Sequence, residues 1–222
     1  MLSELTRALC RRLLDFVAPR GCAACDEPCE PELIFCPSCG GIPDPIEHEA
    51  VDGVPVFAAC EYAAPLSTAI HRLKYHDRPD LAATLAGLFA HRGVPCDRDL
   101  LLIPVPLQAH RLAERGYNQA ALLARALASQ RGLRCAPLGL RRTRDTEQQA
   151  RLTRAERLAN VSDAFEARTA RALRGRRVML VDDVVTTGAT ALACIHALRA
   201  AGARPEAVAA LGGSSRRISE PR

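Results

Sequence analysis

The chain has 222 residues and a formal charge of +5, with 4% aromatic residues and no Trp. That length holds one α/β domain plus a small module. The charge permits nucleic-acid binding without establishing it, the scarcity of aromatic rings leaves few platforms for stacked bases, and no apolar run reaches the length of a membrane-spanning helix.

Residues 1–18 place Leu2, Leu5, Leu9, Leu13 and Val17 at helical spacing, while Arg7, Arg11, Arg12 and Asp15 interrupt any signal-peptide apolar core. We expect an amphipathic helix packed on the body of the protein; a membrane surface is the other partner such a stripe fits. Without a signal peptide, the ten cysteines belong in a reducing compartment, the cytoplasm, as metal ligands or buried thiols rather than disulfides.

Cys22-Ala-Ala-Cys25 and Cys36-Pro-Ser-Cys39 are two C-x-x-C pairs separated by ten residues. Each pair forms a knuckle whose thiolates converge, and two knuckles close a tetrahedral Zn²⁺ site. Four thiolates leave no open coordination position, so the zinc is structural and supplies much of the folding energy of a module spanning residues 19–45. A redox or disulfide pair is the competing reading. Cys29 is a spare thiol, either an alternate ligand or unliganded. Cys10, Cys60, Cys96, Cys135 and Cys194 are scattered and read as small buried hydrophobes.

Residues 40–53 are rich in Pro and acids and read as a linker into a domain over residues 54–212. Residues 54–62 read as a strand, 65–75 as a helix and 80–92 as another helix with Leu81, Leu85, Leu88 and Phe89 on its apolar face. The first of these helices carries Lys74, the only Lys in a chain that otherwise uses Arg. Residues 100–106 form a second buried strand, followed by a basic loop with Arg111 and Arg115. Asn118 caps a helix over residues 119–129. A basic loop after a parallel strand lies where open α/β sheets bind ligands, and guanidinium forks suit a diphosphate; taken alone these residues favour a solvated Arg pair on a surface loop, and beside residues 182–190 they favour the diphosphate. Residues 133–140 read as a strand. Residues 141–165 are polar and Arg-rich, a pattern that fits a lid over a polyanion or a surface for a nucleic-acid backbone.

Four apolar residues, 178–181, then read as a buried strand that ends on Asp182 and Asp183. The turn Thr186-Thr187-Gly188-Ala189-Thr190 opens a helix ending near Gly202. Backbone donors at a helix N-terminus and the Thr hydroxyls suit a phosphate, Gly188 lets the backbone approach it, and the two carboxylates can accept hydrogen bonds from ribose hydroxyls. The turn lacks the Gly-Lys-Ser/Thr of a P-loop and the glycines of a dinucleotide fingerprint. A last strand, residues 205–211, completes the sheet, and residues 213–222 read as a polar, disordered tail.

The stretch 178–190 resembles the signature by which type I phosphoribosyltransferases bind PRPP (5-phosphoribosyl-1-diphosphate). Taken with the Cys cluster, Leu73-Lys74-Tyr75, Pro104-Val105-Pro106, Arg115-Gly116-Tyr117-Asn118-Gln119 and Thr146-Glu147-Gln148-Gln149, the chain is similar to the ComF family over roughly residues 5–212. The resemblance implies an α/β fold of the type I phosphoribosyltransferase kind: a parallel sheet flanked by helices, with a small N-terminal Cys₄ zinc-ribbon module. It implies PRPP and Mg²⁺ as ligands. Asp182 and Asp183 would be catalytic, residues 186–190 would bind the 5-phosphate, and Arg111, Arg115 and Lys74 the diphosphate. Gln149, Arg157 and Asn160 resemble the flexible loop of amidophosphoribosyltransferases, although the chain has no room for a glutamine-hydrolysing domain. The implied biology is DNA uptake during natural transformation, alongside single-stranded DNA and the uptake machinery. Two readings remain open: an enzyme that transfers phosphoribose to an unknown acceptor, and a non-catalytic DNA-binding or scaffold protein that keeps the fold as a sensor.

Overall fold

The computed structural model describes residues 21–30, 32–44, 46, 50–143, 164–168 and 170–213. The expected helix at 1–18, Cys10, the loop residues Gln149, Arg157 and Asn160, and residues 214–222 lie outside the described residues.

Strands β1 (Ala50–Val51), β2 (Val54–Glu61), β3 (Leu101–Pro104), β4 (Arg134–Cys135), β7 (Arg177–Val185) and β8 (Arg204–Gly213) make a six-stranded sheet in the order β1-β2-β8-β7-β3-β4. All neighbours run parallel except the β1–β2 hairpin. Val178, Met179, Leu180 and Val181 are buried from both sides, as a central parallel strand requires. The expected last strand, β8, is inserted between β2 and β7.

The helices are α1 (Leu66–Tyr75), α2 (Leu81–Leu85), α3 (Ala109–Arg115), α4 (Gln119–Arg131), α5 (Ala170–Leu173) and α6 (Ala189–Ala200). One apolar cluster joins α1, α2 and α4 to one face of the sheet, through Met179 and Val181 among others. A second joins α6 and α5 to the opposite face through Val178 and Leu180. The two faces follow from connectivity. From β3 the chain crosses through α4 outward to β4; from β7 it crosses through α6 in the other direction to β8. Right-handed crossovers in opposite directions put their helices on opposite faces, and the strand order reverses between β3 and β7.

The Cys-rich segment is continuous with this core. Cys22, Phe35 and Cys36 belong to the same cluster as Leu66, Ile70 and Leu73 of α1. Arg72 donates from Nη1 to the Ala23 carbonyl at 3.0 Å and pairs with Asp26, and Arg78 Nη1 reaches Asp26 Oδ1 at 2.6 Å. The guanidinium of Arg78, then that of Arg72, holds the Asp26 carboxyl below the usual carboxylate range.

Several local expectations are corrected. The linker at 40–53 ends in a hairpin: Asp52 and Gly53 both take positive φ (51° and 73°), the turn that matches strand twist, and Val51 pairs with Val54. The helix expected at 80–92 is α only to Leu85 and then tightens to a 3₁₀ helix, Ala86–Arg92. At three residues per turn Leu85 eclipses Leu88 and Ala86 eclipses Phe89, and all four are buried. The basic loop after β3 contains α3, which buries no residue and so lacks the apolar period that signals a helix; Gly116 (φ 78°) ends it. The strand expected at 133–140 splits at a turn holding Pro137, which has no N–H to donate. Only β4 joins the main sheet, while β5 (Leu140–Arg142) pairs with β6 (Phe165–Ala167). Gly213 is not tail: it ends β8, paired with Glu61 and Val185, where a Cβ would overlap Ile46.

Candidate functional site

The reversal of strand order opens a crevice at the carboxyl ends of β3 and β7, where open α/β sheets take their ligands. β3 stops first. Its last partner is Val181, whose carbonyl accepts the Val105 N–H at 2.9 Å. β7 continues along β8 to Val185, so Asp182 and Asp183 border the crevice beyond the end of β3.

Strand alternation sends the two carboxylates to opposite faces of the sheet. Asp183 is 4% exposed and faces α1 and α4. Its Oδ1 accepts from Gln119 Nε2 at 3.0 Å. Lys74 lies against Oδ2 as a counter-ion, without the alignment of a hydrogen bond. Asp182 lies toward α6 and accepts the Asp183 N–H at 2.8 Å. Burial, and then the neighbouring Asp183 charge, push the Asp182 carboxyl well above its ordinary range. On the same face, burial and then Asp182 push the Cys194 thiol up.

Gly188 follows β7 in the left-handed region (φ 73°) as the N-cap of α6, and no side chain caps the helix. Its first-turn donors therefore have no side-chain cap, and beside them lie the exposed Thr186 and Thr187 and the half-buried Ala189 and Thr190. Thr187 Oγ1 accepts weakly from the Ala189 N–H, at 3.5 Å.

A cleft of about 550 Å³ is lined by Lys74, the counter-ion of Asp183, with Tyr75, Arg111, Arg115 and Tyr117 and two acids, Asp77 and Glu114. Arg115 lies over the Tyr75 ring, 5.0 Å from its centroid, and donates to Gln119 Oε1. Tyr117 donates to the Leu73 carbonyl at 2.7 Å, which ties the loop to α1. Asn118 caps α4 as expected: its Oδ1 accepts from Ala120 at 2.9 Å, and its Nδ2 donates to the Val105 carbonyl at 2.9 Å.

Of the residues expected at one ligand, Lys74, Arg111 and Arg115 line this cleft; Asp183 is joined to it through Lys74 and Gln119, and Asp182, on the other face of β7, does not line it. Sequence reasoning missed Gln119, which touches both Arg115 and Asp183. The buried polar side chains among the described residues are Gln108, Gln119 and Asp183. The signal for Gln119 was its place directly after the capping Asn118.

The four expected thiols also converge: the Sγ atoms of Cys22, Cys25, Cys36 and Cys39 lie within 4.8 Å of one another. Cys25 and Cys36 are 3.7 Å apart. Tetrahedral zinc with bonds of about 2.3 Å needs sulfur separations of about 3.8 Å, so these residues fit the ion. Burial raises the Cys22 thiol, but backbone hydrogen bonds at Cys36, Ala24 and Cys25 outweigh it and lower the group to about 7, near the thiolate form that a metal requires. Hydrogen bonds among the crowded sulfurs, first from Cys25 and then Cys36, push Cys39 strongly up. Cys29 stands outside this group, its Sγ facing the Leu33 carbonyl at 3.9 Å.

Among the described residues no helix is long and apolar enough to cross a membrane. No family model matches the chain. The DNA utilization protein YhgH of Escherichia coli is 32% identical over 183 residues, 76% of this chain and 79% of that protein. The protein of that name from Salmonella typhi is 31% identical over 195 residues, 82% of this chain and 85% of its own length. Competence protein F of Haemophilus influenzae is 37% identical over 136 residues, 58% of this chain and 59% of that protein. Relatives this similar, matched along most of both chains, make this chain a member of the ComF family.

Proposed function

We propose that the crevice binds PRPP and that the protein transfers the 5-phosphoribosyl group to an acceptor, with release of diphosphate, in the handling of incoming DNA. One observation carries this reading. A buried carboxylate, next to an acid of raised pKa on the strand that leads into an uncapped, glycine-led helix, is joined through Lys74 to a cleft that also holds Arg111 and Arg115. A ribose with a phosphate at one end and a diphosphate at the other matches that sequence of groups. The type I phosphoribosyltransferase architecture belongs to the same proposal, and so do the Zn²⁺ of the Cys module and the Mg²⁺ bound with PRPP.

In this reading the donors of residues 186–190 hold the 5-phosphate. Asp182 and Asp183 address the ribose from opposite faces of β7, which a sugar straddling the sheet edge can meet. Lys74 exchanges Asp183 for the diphosphate when a ribose hydroxyl takes the carboxylate. Arg111 and Arg115 stabilise the departing diphosphate, and bound Mg²⁺ supplies further neutralisation of its charge. The bond from C1′ to the diphosphate oxygen breaks with its electron pair leaving on diphosphate; an acceptor lone pair forms the new bond and the acceptor loses a proton. Gln149, Arg157 and Asn160 are assigned to a covering loop on the family resemblance alone.

The test is calorimetric titration of zinc-loaded protein with PRPP, with and without Mg²⁺, beside the Asp182→Asn/Asp183→Asn double variant. Mg²⁺-dependent binding that the variant loses supports the reading. No binding by folded, zinc-replete protein overturns it.

The names of the relatives, a DNA utilization protein and a competence protein, favour a second reading. The protein would bind single-stranded DNA through its surplus of Arg and keep the ligand site as a sensor. DNA binding that weakens steeply with salt and survives Asp182→Asn distinguishes it.

A further inference from the structure

Gln119 joins the two charged halves of the crevice, and we propose that it is a positioning residue that holds the diphosphate-side guanidinium of Arg115 and the ribose-side carboxylate of Asp183 in one fixed arrangement. The inference rests on the PRPP reading of the site and goes beyond it by assigning a role to a residue to which that reading gives no ligand contact.

Gln119 is 6% exposed, at the first position of α4 behind the capped Asn118, so both its Cα and its surroundings are set by the helix start. Its Oε1 accepts from Arg115 Nη1, and its Nε2 donates to Asp183 Oδ1 at 3.0 Å. A guanidinium only donates and a carboxylate only accepts, so the amide has one allowed orientation; turned over, it would set donor against donor and acceptor against acceptor. Few side chains can replace it. Glu in its ionised form repels Asp183, Lys and Arg repel Arg115, and Leu leaves a buried carboxylate oxygen without its donor.

Ligands that span both halves depend on the bridge, and ligands that touch one half depend on it less. PRPP engages both; inorganic diphosphate and ribose 5-phosphate each engage one. Preorganisation of the two halves is therefore worth most for PRPP.

The charged groups that face this position are Asp183 from β7, Lys74 from α1 beside it and Arg115 from the end of α3. Gln119→Glu converts the bridge into a titrating one. Protonated, the new carboxyl donates to Asp183 and accepts from Arg115, as the amide does; ionised, it still accepts from Arg115 but repels Asp183 and has no hydrogen to give it.

The experiment measures PRPP, diphosphate and ribose 5-phosphate affinities for the wild type, Gln119→Leu and Gln119→Glu, with zinc content and circular dichroism as checks on the fold. Affinities are taken from about pH 6 to about pH 8 and expressed as variant-to-wild-type ratios, which cancels the ligand's own ionisation. Gln119→Leu should weaken PRPP about tenfold, as loss of a buried charge-assisted hydrogen bond implies, and weaken the half-ligands less. Gln119→Glu should approach wild-type affinity at the acidic end and lose about tenfold toward the alkaline end. A structural role alone would give no such pH profile and no rescue. PRPP binding that Gln119→Leu leaves intact, or a flat Gln119→Glu ratio, overturns the inference alone. Absence of PRPP binding by the wild type overturns the underlying reading and the inference with it.

Discussion

Lys74, near the C-terminus of α1, is the counter-ion of Asp183, near the end of β7. Two residues earlier on the same helix, Arg72 holds Ala23 and Asp26 of the Cys module. One short helix thus braces the module with one side chain and neutralises the crevice carboxylate with another.

Breaking that pair should be costly because Asp183 keeps only 5% of its side chain exposed. Lys74→Met should lose about 3 kcal/mol, the low end for a buried pair, since Lys74 itself remains 20% exposed. Lys74→Met combined with Asp183→Asn should recover most of that loss, because no charge is then left buried alone and the Asn Oδ1 still accepts from Gln119. Urea midpoints of the single and double variants check this; a double variant no more stable than Lys74→Met would show that packing, not charge, holds the contact.

Asp182 should make the protein less stable as pH rises. Burial and the Asp183 charge raise its folded-state value above the ordinary 3.8. Between 3.8 and that raised value the folded state binds more protons than the unfolded chain, so stability falls with increasing pH across that window. Asp182→Asn should remove this fall and be more stable than wild type at neutral pH, while its PRPP affinity drops. Denaturant unfolding of both proteins from about pH 4 to about pH 7 measures the difference; parallel curves would refute the assignment.

Zinc removal should destabilise the whole protein and not only its N-terminal segment, because Cys22, Phe35 and Cys36 pack in one cluster with Leu66, Ile70 and Leu73. Metal analysis should find one zinc per chain, lost in Cys36→Ser and retained in Cys29→Ser. Thermal melts should show one transition moving down on chelation. A chelated protein that melts unchanged would separate the module from the core.

Asn118→Ala should cost about 1–2 kcal/mol: it removes the cap of α4 and also the bond to the Val105 carbonyl that fixes the loop after β3. The same variant should weaken PRPP binding, since Gln119 begins the helix that Asn118 caps. Equilibrium unfolding and titration on the same sample give both values.

Much of the local structure was legible along the chain, for reasons that operate over a few residues. The apolar run at 178–181 could only be a buried strand; Asn118 had an oxygen within reach of the next turn's N–H groups; and two C-x-x-C pairs present their thiols to one point wherever they fold. Local signals failed where burial did not follow the sequence period. The helix Ala109–Arg115 buries nothing, and the 3₁₀ turn at Ala86–Arg92 follows a period of three. Tertiary structure alone decided that β8 lies inside the sheet, that β7 runs on through Asp182 and Asp183 beyond the end of β3, and that Lys74 and Gln119 meet at Asp183. Those contacts join residues far apart in the chain. They depend on which crossover direction each helix takes and on which face of β7 each side chain occupies, and a sequence expresses such choices only through the packing of the whole core.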